Sequence, residues 1–361
     1  MHPDTPTLLP LVCPVCRVRN ECGRQMYTLS LRAALRTTED GQVLQGVLGC
    51  DNPACQRSYP IVDGIPVVVA DLAAWLTGQI VHVVEGELHP ELQALLAGAG
   101  PDDAVYARLC EHLSIYLDAH WGDRAQPPPV PPGFPVSPFG FAAPAERLAE
   151  RASVPVERAV DLGCSVGRGV AELARGARIC VGVDLHLGAL RRARRLLSGE
   201  RLAYGRRTIG RHYRTAIAVA GDLAMPATFI CADVLDPPLV PGSFDRVAAL
   251  GVLDSVRAPV QLLSVLDGLC RPGGEVLLGS PYAWQSGIVE EQGRLGDADP
   301  AADLRRRLES GDGLEASYII EEEADLPWWL RRDDRSAQAY ILHYLRARKL
   351  EKVLGPPFGF P

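Results

Sequence analysis

The sequence has no stretch approaching the roughly 20 uninterrupted apolar residues that a membrane-spanning helix requires. Its first residues, MHPDTPTLLPLVCPVC, contain no basic region followed by a cleavable apolar segment. Both absences lead to the expectation of a cytoplasmic protein. An excess of positive charge is also missing: the formal net charge is −7, which argues against indiscriminate binding to phosphate backbones. No internal repeat is visible. What is there is a chain of 361 residues, 47% of them hydrophobic, enough for one large domain beside a smaller one. Of its ten cysteines, five fall between residues 13 and 55 in paired spacings, and the others stand singly in apolar or turn contexts. That distribution favours a metal site plus buried thiols in a reducing compartment.

Residues 1–70 read as short strands and turns. Two cysteine-bearing turns precede SYPIVDGIPVVV, a β-branched run broken by Asp63-Gly64 and closed by Pro66, which predicts a small β-rich module. Residues 71–143 change character: DLAAWLTGQIVHVV, ELHPELQALLAG and DDAVYARLCEHLSIYLDAHWG place apolar residues at three- and four-residue intervals and predict helices. QPPPVPPGFPVSPFGF then predicts a semi-rigid linker or, through Phe134, Phe139 and Phe141, a strap over an active site. From residue 144 to 350 the pattern alternates, with RAVDLG, ICVGVDL, ATFICADV, FDRVAALGVL and EVLLGSP as strands among helical APAERLAERA, GVAELARGA, LGALRRARRLLSG and APVQLLSVLDGLC. The fold class expected is therefore α/β, a doubly wound parallel sheet, with YIIEEEADLPWWLR and AQAYILHYLRARK as terminal strands.

The stretch AVDLGCSVGRGV, residues 159 to 170, is an apolar run that ends in a glycine turn and enters a helix, the arrangement that offers backbone N–H groups to a nucleotide-type cofactor. A dinucleotide fingerprint would need glycine where Ser165 and Arg168 stand, which weakens a nicotinamide cofactor. The spacing is instead Asp161-x-Gly163-x-Ser165-x-Gly167, with Asp184 at the next strand end, where a carboxylate can accept both ribose hydroxyls. A third strand end carries CADVLDPP, placing Asp233 to accept from an adenine amino group and the Val234 backbone against the ring. Three acids at successive strand ends fit an adenosine-like ligand with a positive centre.

These motifs, followed in order by FDRVAALGVLDSV and LCRPGGEVLL, resemble the class I S-adenosylmethionine (SAM)-dependent methyltransferases of the type 11-like group, over roughly residues 145 to 282. The resemblance implies a Rossmann-like methyltransferase sheet. By position it places Asp161, Gly163, Cys164 and Gly167 around the methionine part of SAM, and Asp184 with its neighbour Leu185 at the ribose. Asp233 and Val234 would face the adenine, and Leu250 and Gly251 would line the floor near the sulfonium. Ser165 departs from the family's usual glycine. GCSVGRGVAELAR, LGVLDSV, GSPYAWQ and DLPWWLRRDDRSAQAYILH are also similar to the methyltransferase half of ovothiol-type mercaptohistidine synthases, which implies a small polar acceptor; the companion oxygenase domain is absent from this sequence.

Plainer roles stand beside these. Cys164 reads better as a close-packed turn residue than as a nucleophile, since no histidine adjoins it. Gly163 and Gly167 can be simple turn glycines, Asp233 a turn acid, and His186 a residue at a helix start instead of a general base.

CPVC at Cys13 and Cys16 and CDNPAC at Cys50 and Cys55 supply two thiolate pairs on two turns, which suits a tetrahedral zinc. Four thiolates leave no open position, so the metal would stabilise a small module and not catalyse. Cys22 is spare, and the Cys50–Cys55 gap is wider than usual, with Asn52-Pro53 as a place for a bulge. The run through LGCDNPACQRSYPIVDGIPVVV resembles the Trm112-like zinc ribbon, a module that occurs as a methyltransferase activator and fused ahead of methyltransferases, so it leaves room for a protein partner.

Because a sulfonium methyl is already activated, holding the acceptor in line and excluding water is the main task, and no strict catalytic residue is required. Asp254, Tyr282 and His186 are the candidate bases; Tyr282 and Trp284 could wall an acceptor pocket or pack under the terminal strands. Arg331 and Arg332 read as a solvated charged turn more readily than as a clamp for an acceptor carboxylate. LRRARRLL has the spacing of a solvated helix face, and the acidic balance disfavours nucleic acid even though YGRRTIGRHYR is basic. The function expected is methyl transfer from SAM to N, O or S of a small molecule, with an RNA or protein methyltransferase docking through the ribbon, or a non-catalytic SAM-binding partner protein, as alternatives.

Overall fold

The computed structural model describes residues 8–20, 23–84, 88, 92, 95–96, 104–124, 140–210, 212–296 and 298–351. The expected proline-rich linker with Phe134 and Phe139, most of ELHPELQALLAG and Cys22 lie outside the described residues.

In the amino-terminal module β1 (Val18–Asn20) pairs with β2 (Gly23–Gln25), and β3 (Leu29–Thr37), β4 (Val43–Cys50), β5 (Ser58–Val62) and β6 (Ile65–Pro66) form an antiparallel sheet in that order. The hairpin between β5 and β6 turns at Asp63-Gly64, as the sequence predicts. Helices α1 (Leu72–Val84), α2 (Val105–Trp121) and α3 (Ala142–Ala152) follow.

The alternating pattern then builds β7 (Val156–Leu162), α4 (Arg168–Ala174), β8 (Ala177–Asp184), α5 (Leu187–Leu197), β9 (Leu202–Ile209), β10 (His212–Ala218), β11 (Thr228–Cys231), β12 (Phe244–Leu250), α6 (Pro259–Leu269), β13 (Cys270–Ser280), α7 (Pro300–Ser310), β14 (Tyr318–Arg331) and β15 (Ala337–Lys349). Seven of these strands form one sheet in the order β11-β8-β7-β12-β13-β15-β14. The first five are parallel and the last two antiparallel. Parallel strands covered on both faces must be apolar nearly throughout, which is why β12 is buried at every position except Asp245. The sheet is thus the α/β doubly wound type, and its order reverses between β7 and β12. A crevice for ligands opens at such a switch point, at the carboxyl ends of the strands.

Two hydrophobic cores flank the sheet. One joins Leu9, Leu11, Cys16, Leu48 and Tyr59 of the amino-terminal module to Val160, Ile230 and Phe244 of the large sheet. Val68 N–H donates to the Cys231 carbonyl at 2.9 Å, and Leu11 bridges Leu239, so the module is fastened to the sheet by backbone as well as side chains. One sequence expectation is corrected here. The α5 arginines do not form a solvated face: Arg191 is paired with Asp63 at 2.6 Å and Arg194 reaches Gln42 at 3.4 Å, both in the amino-terminal module. YGRRTIGRHYR is the β9–β10 hairpin, in which Arg206 and Arg207 are buried and paired with Asp118 and Glu111. No helix among the described residues is long and apolar enough to cross a membrane.

Candidate functional site

A cavity of about 520 Å³ opens at the carboxyl ends of β7, β8 and β12 and the segment after β11. Asp161, Gly163, Cys164, Asp184, Leu185, Asp233, Val234, Leu250 and Gly251 all line it. Gly167, expected with them, is not among the lining residues. It sits at φ +84° before α4, and a Cβ there would come within 2.7 Å of the Ala193 Cβ, so its smallness lets α5 pack against the turn. Gly163, at φ +78°, is needed for a different contact: a Cβ would lie 2.2 Å from a Val252 methyl.

Ser165 takes the left-handed conformation at φ +48°, where a side chain is strained. The turn is held by its own acid. Ser165 N–H donates to Asp184 Oδ2 at 2.8 Å, and His186 N–H donates to Oδ1 at 2.8 Å, so the carboxylate is clamped in one orientation at the cavity wall. Burial pushes the Asp184 carboxyl up, and these amides oppose the shift. Asp161 is also buried, and burial together with the Asp184 charge pushes it up to about 8. Asp233 accepts from Leu235 N–H at 2.9 Å and pairs with Arg257 at 2.8 Å. Arg257 is the only Lys or Arg among the described lining residues, and Asp233 already engages it. The acid at the end of β8 therefore offers acceptors to a ligand's hydroxyl donors, and the raised acid at the end of β7 gives up its proton when a positively charged ligand lies beside it.

The candidate bases are placed elsewhere or occupied. His186 lines the cavity, but its Nδ1 accepts from Ala189 N–H at 3.0 Å to cap α5, and burial pushes the ring down to about 2. With the Nδ1 lone pair used, the proton sits on Nε2 and the ring has none left to receive one. Asp254 is buried outside the lining and accepts from Ala283 N–H at 3.1 Å and Ser280 Oγ at 3.4 Å, which fixes the loop after β13. Tyr282, at φ +52°, also lies outside the lining; its hydroxyl meets His343 Nδ1 at 2.7 Å, and His343 Nε2 meets Glu323 at 2.8 Å. Trp284 packs with Tyr282 against the core, and Gln285 and Ile288 of the same loop reach the cavity instead. Arg331 is buried on β14 and bound to Asp118, so it is neither a solvated turn nor an open clamp; Arg332 pairs with Glu111 at 2.6 Å. Cys164 lines the cavity and is buried, and burial pushes its thiol well up, so it is a poor nucleophile.

The sequence reading missed the cavity's other wall. His112, Tyr116 and His120 stand four residues apart on one face of α2 and line it, joined by Phe141 and Trp328. The i, i+4, i+8 spacing of three polar aromatics was the available signal. His112 stacks on His186 at 5.0 Å between ring centroids, and His120 on Phe141 at 4.5 Å.

In the amino-terminal module the thiols of Cys13, Cys16, Cys50 and Cys55 converge, with all four sulfurs within 4.8 Å of one another. Cys16 and Cys50 sulfurs are 3.8 Å apart, matching the about 3.8 Å edge of a tetrahedron with zinc–sulfur bonds of about 2.3 Å. The long Cys50–Cys55 gap closes through a turn in which Asn52 receives Ala54 N–H at 3.0 Å and Cys55 N–H at 2.9 Å. Asn52 also offers its backbone N–H to Cys50 sulfur and its amide Nδ2 to Cys16 sulfur, each at 3.5 Å, and the Tyr59 hydroxyl lies 3.1 Å from Cys13 sulfur. Such donors suit thiolates around one metal ion.

Residues 160–278 match the family model of a methyltransferase domain. None of the curated proteins matches the chain. Among solved structures the chain is similar to N-methyltransferase NodS from Bradyrhizobium japonicum WM9 in complex with S-adenosyl-L-homocysteine, at 15% identity and a TM-score of 0.40 over 67% of this chain and 100% of that one. It is also similar to magnesium protoporphyrin IX methyltransferase from Synechocystis PCC 6803 with bound SAM, at 16% identity and a TM-score of 0.38 over 77% of this chain and 98% of that one. Residues 160–278 thus carry a methyltransferase domain.

Proposed function

With a methyltransferase domain at residues 160–278 as the premise, we propose that the chain transfers the methyl group of SAM to N, O or S of a small molecule held in this cavity, in specialised metabolism. The observation that carries the proposal is the cavity itself, lined by acids at the ends of β7 and β8 and by the His112, Tyr116 and His120 face of α2. Asp184 accepts the ribose hydroxyls with the carboxylate orientation set by Ser165 and His186 N–H. Asp161 faces the positively charged part, which draws its proton off. Asp233 and Val234 take the adenine, and Leu250 and Gly251 form the floor. Bound there, SAM supplies an electrophilic methyl group, and the acceptor needs a lone pair in line with it. The residues of α2 exclude water and fix the approach, which is where most of the rate enhancement resides.

A macromolecular acceptor is less well supported, because the arginines that make YGRRTIGRHYR basic include Arg206 and Arg207, which are spent in buried ion pairs. The four-cysteine module carries a structural zinc in this account, on the Trm112-like pattern, and the protein works in the cytoplasm. Incubation with methyl-labelled SAM and an extract of the producing cells, followed by separation by size, tests the reading. Label in the small-molecule fraction is expected; label in RNA or protein overturns it.

A further inference from the structure

The segment that carries Asp233 is held at both ends by the amino-terminal module. Ahead of it, Val68 N–H donates to the Cys231 carbonyl at 2.9 Å. Behind it, Val12 N–H donates to the Pro238 carbonyl at 3.0 Å, and Leu11 bridges Leu239. Between these anchors the chain makes one tight turn. Asp236 N–H donates to the Asp233 carbonyl at 2.9 Å, and Leu235 N–H to Asp233 Oδ1 at 2.9 Å. Asp233, Val234 and Leu235 line the cavity from this turn, and Asp236 closes it from outside the lining.

Asp236 is where the module grips. The turn of Cys13 and Cys16 leads straight into Arg17, whose Nη1 meets Asp236 Oδ1 at 3.0 Å and whose Nη2 donates to the Pro237 carbonyl. Arg17 thus spans a side chain and a backbone group at the end of the turn. At its start, Arg257 Nη1 donates to Asp233 Oδ2 at 2.8 Å. The two acids of the turn therefore have one arginine each. Burial and the Asp233 charge push the Asp236 carboxyl up, while Arg17 and Arg257 oppose the shift. Without Arg17, Asp236 either competes with Asp233 for Arg257 or takes a proton, and in both cases the turn is released at its far end. A part-exposed ion pair contributes little to stability, so the consequence of this one is position more than folding.

Resting on the SAM reading above, we propose that Arg17 is a positioning residue for the adenine end of the cofactor. By holding Asp236 and the Pro237 carbonyl, it fixes the turn from which Asp233 accepts the adenine amino group. The four-cysteine module then contributes to cofactor selection through a residue outside the cavity lining.

Titration calorimetry on the full chain tests this, with S-adenosylhomocysteine and S-inosylhomocysteine as probes. The inosyl ligand carries an oxygen where adenine carries its amino group, so Asp233 meets an acceptor instead of a donor. Wild type is expected to bind S-adenosylhomocysteine at least about tenfold more tightly, because a site built around a hydrogen-bond donor rejects the analogue that lacks it. Arg17→Ala is expected to cut that preference to less than about threefold, as the acid loses its fixed place. Should that variant fail to fold, Asp236→Ala removes the carboxylate that Arg17 grips and is expected to cut the preference in the same way. A folded variant in which both ligands weaken alike, or neither weakens, keeps the wild-type ratio and overturns the role of Arg17 alone. Wild type that binds both ligands equally overturns the placing of adenine at Asp233, and the role of Arg17 with it. Failure of S-adenosylhomocysteine to bind overturns the cofactor reading itself.

Discussion

Arg331 donates to both carboxylate oxygens of Asp118, Nη2 to Oδ2 at 2.9 Å and to Oδ1 at 3.0 Å, with both side chains buried. The pair joins α2 to β14, the two elements that supply the ring wall of the cavity. Arg206 of β9 shares the same carboxylate at 3.1 Å. Asp118→Ala therefore strands buried guanidinium charge and is expected to cost about 3–5 kcal/mol in a urea unfolding experiment. A loss under about 1 kcal/mol would mean the network is dispensable.

The fate of Arg331 shows where sequence reasoning stops. LRRDD reads locally as a solvated turn, because the partner that buries Arg331 is distant in sequence and on a different element. The same limit hid His112, Tyr116 and His120, which lie in a segment read only as helical; the docking of α2 brings them to the cavity. The parallel strands were legible because burial on both faces leaves a continuous apolar signature. The acids at the strand ends were legible because strand ends are where such a sheet opens. Tyr282 was misplaced for a subtler reason: its left-handed backbone turns the phenol toward His343 and away from the cavity that the next residues enter.

That placement makes a direct prediction. Loss of a general base typically costs 10²–10⁴ in rate. Tyr282→Phe removes only the contact to His343, so methyl transfer is expected to fall by less than about tenfold. A loss of a hundredfold or more in single-turnover assays would restore Tyr282 as a proton acceptor.

The buried histidines imply a pH signature. His120 stays neutral in the folded chain down to about 3, whereas in the unfolded chain it takes a proton near 6.5. Between these values the unfolded state binds more protons, so this group's contribution to stability is full above 6.5 and is lost as pH falls toward about 3. Relative to His120→Phe, the wild type is expected to lose roughly 1.4 kcal/mol per pH unit in this window. Denaturation curves of the two proteins at pH 7, 6 and 5 check it, and a constant difference would contradict a buried neutral imidazole.

For the cysteine cluster, freshly purified protein is expected to contain about one zinc per chain by elemental analysis, and Cys16→Ser to lose most of it along with stability of the amino-terminal module. A full chain without metal and with undiminished stability would remove the structural-metal assignment. Since four thiolates leave no open position, substrate turnover should follow metal content only through folding.

The central claim is that the clamped carboxylate of Asp184 holds the cofactor. Calorimetric titration of SAM into the wild type and Asp184→Ala, with circular dichroism to confirm that both are folded, tests it most directly. The account predicts saturable binding of one molecule per chain to the wild type and a loss of at least about tenfold in the variant, the scale of charge-assisted hydrogen bonds. Equal affinity in two folded proteins would contradict it.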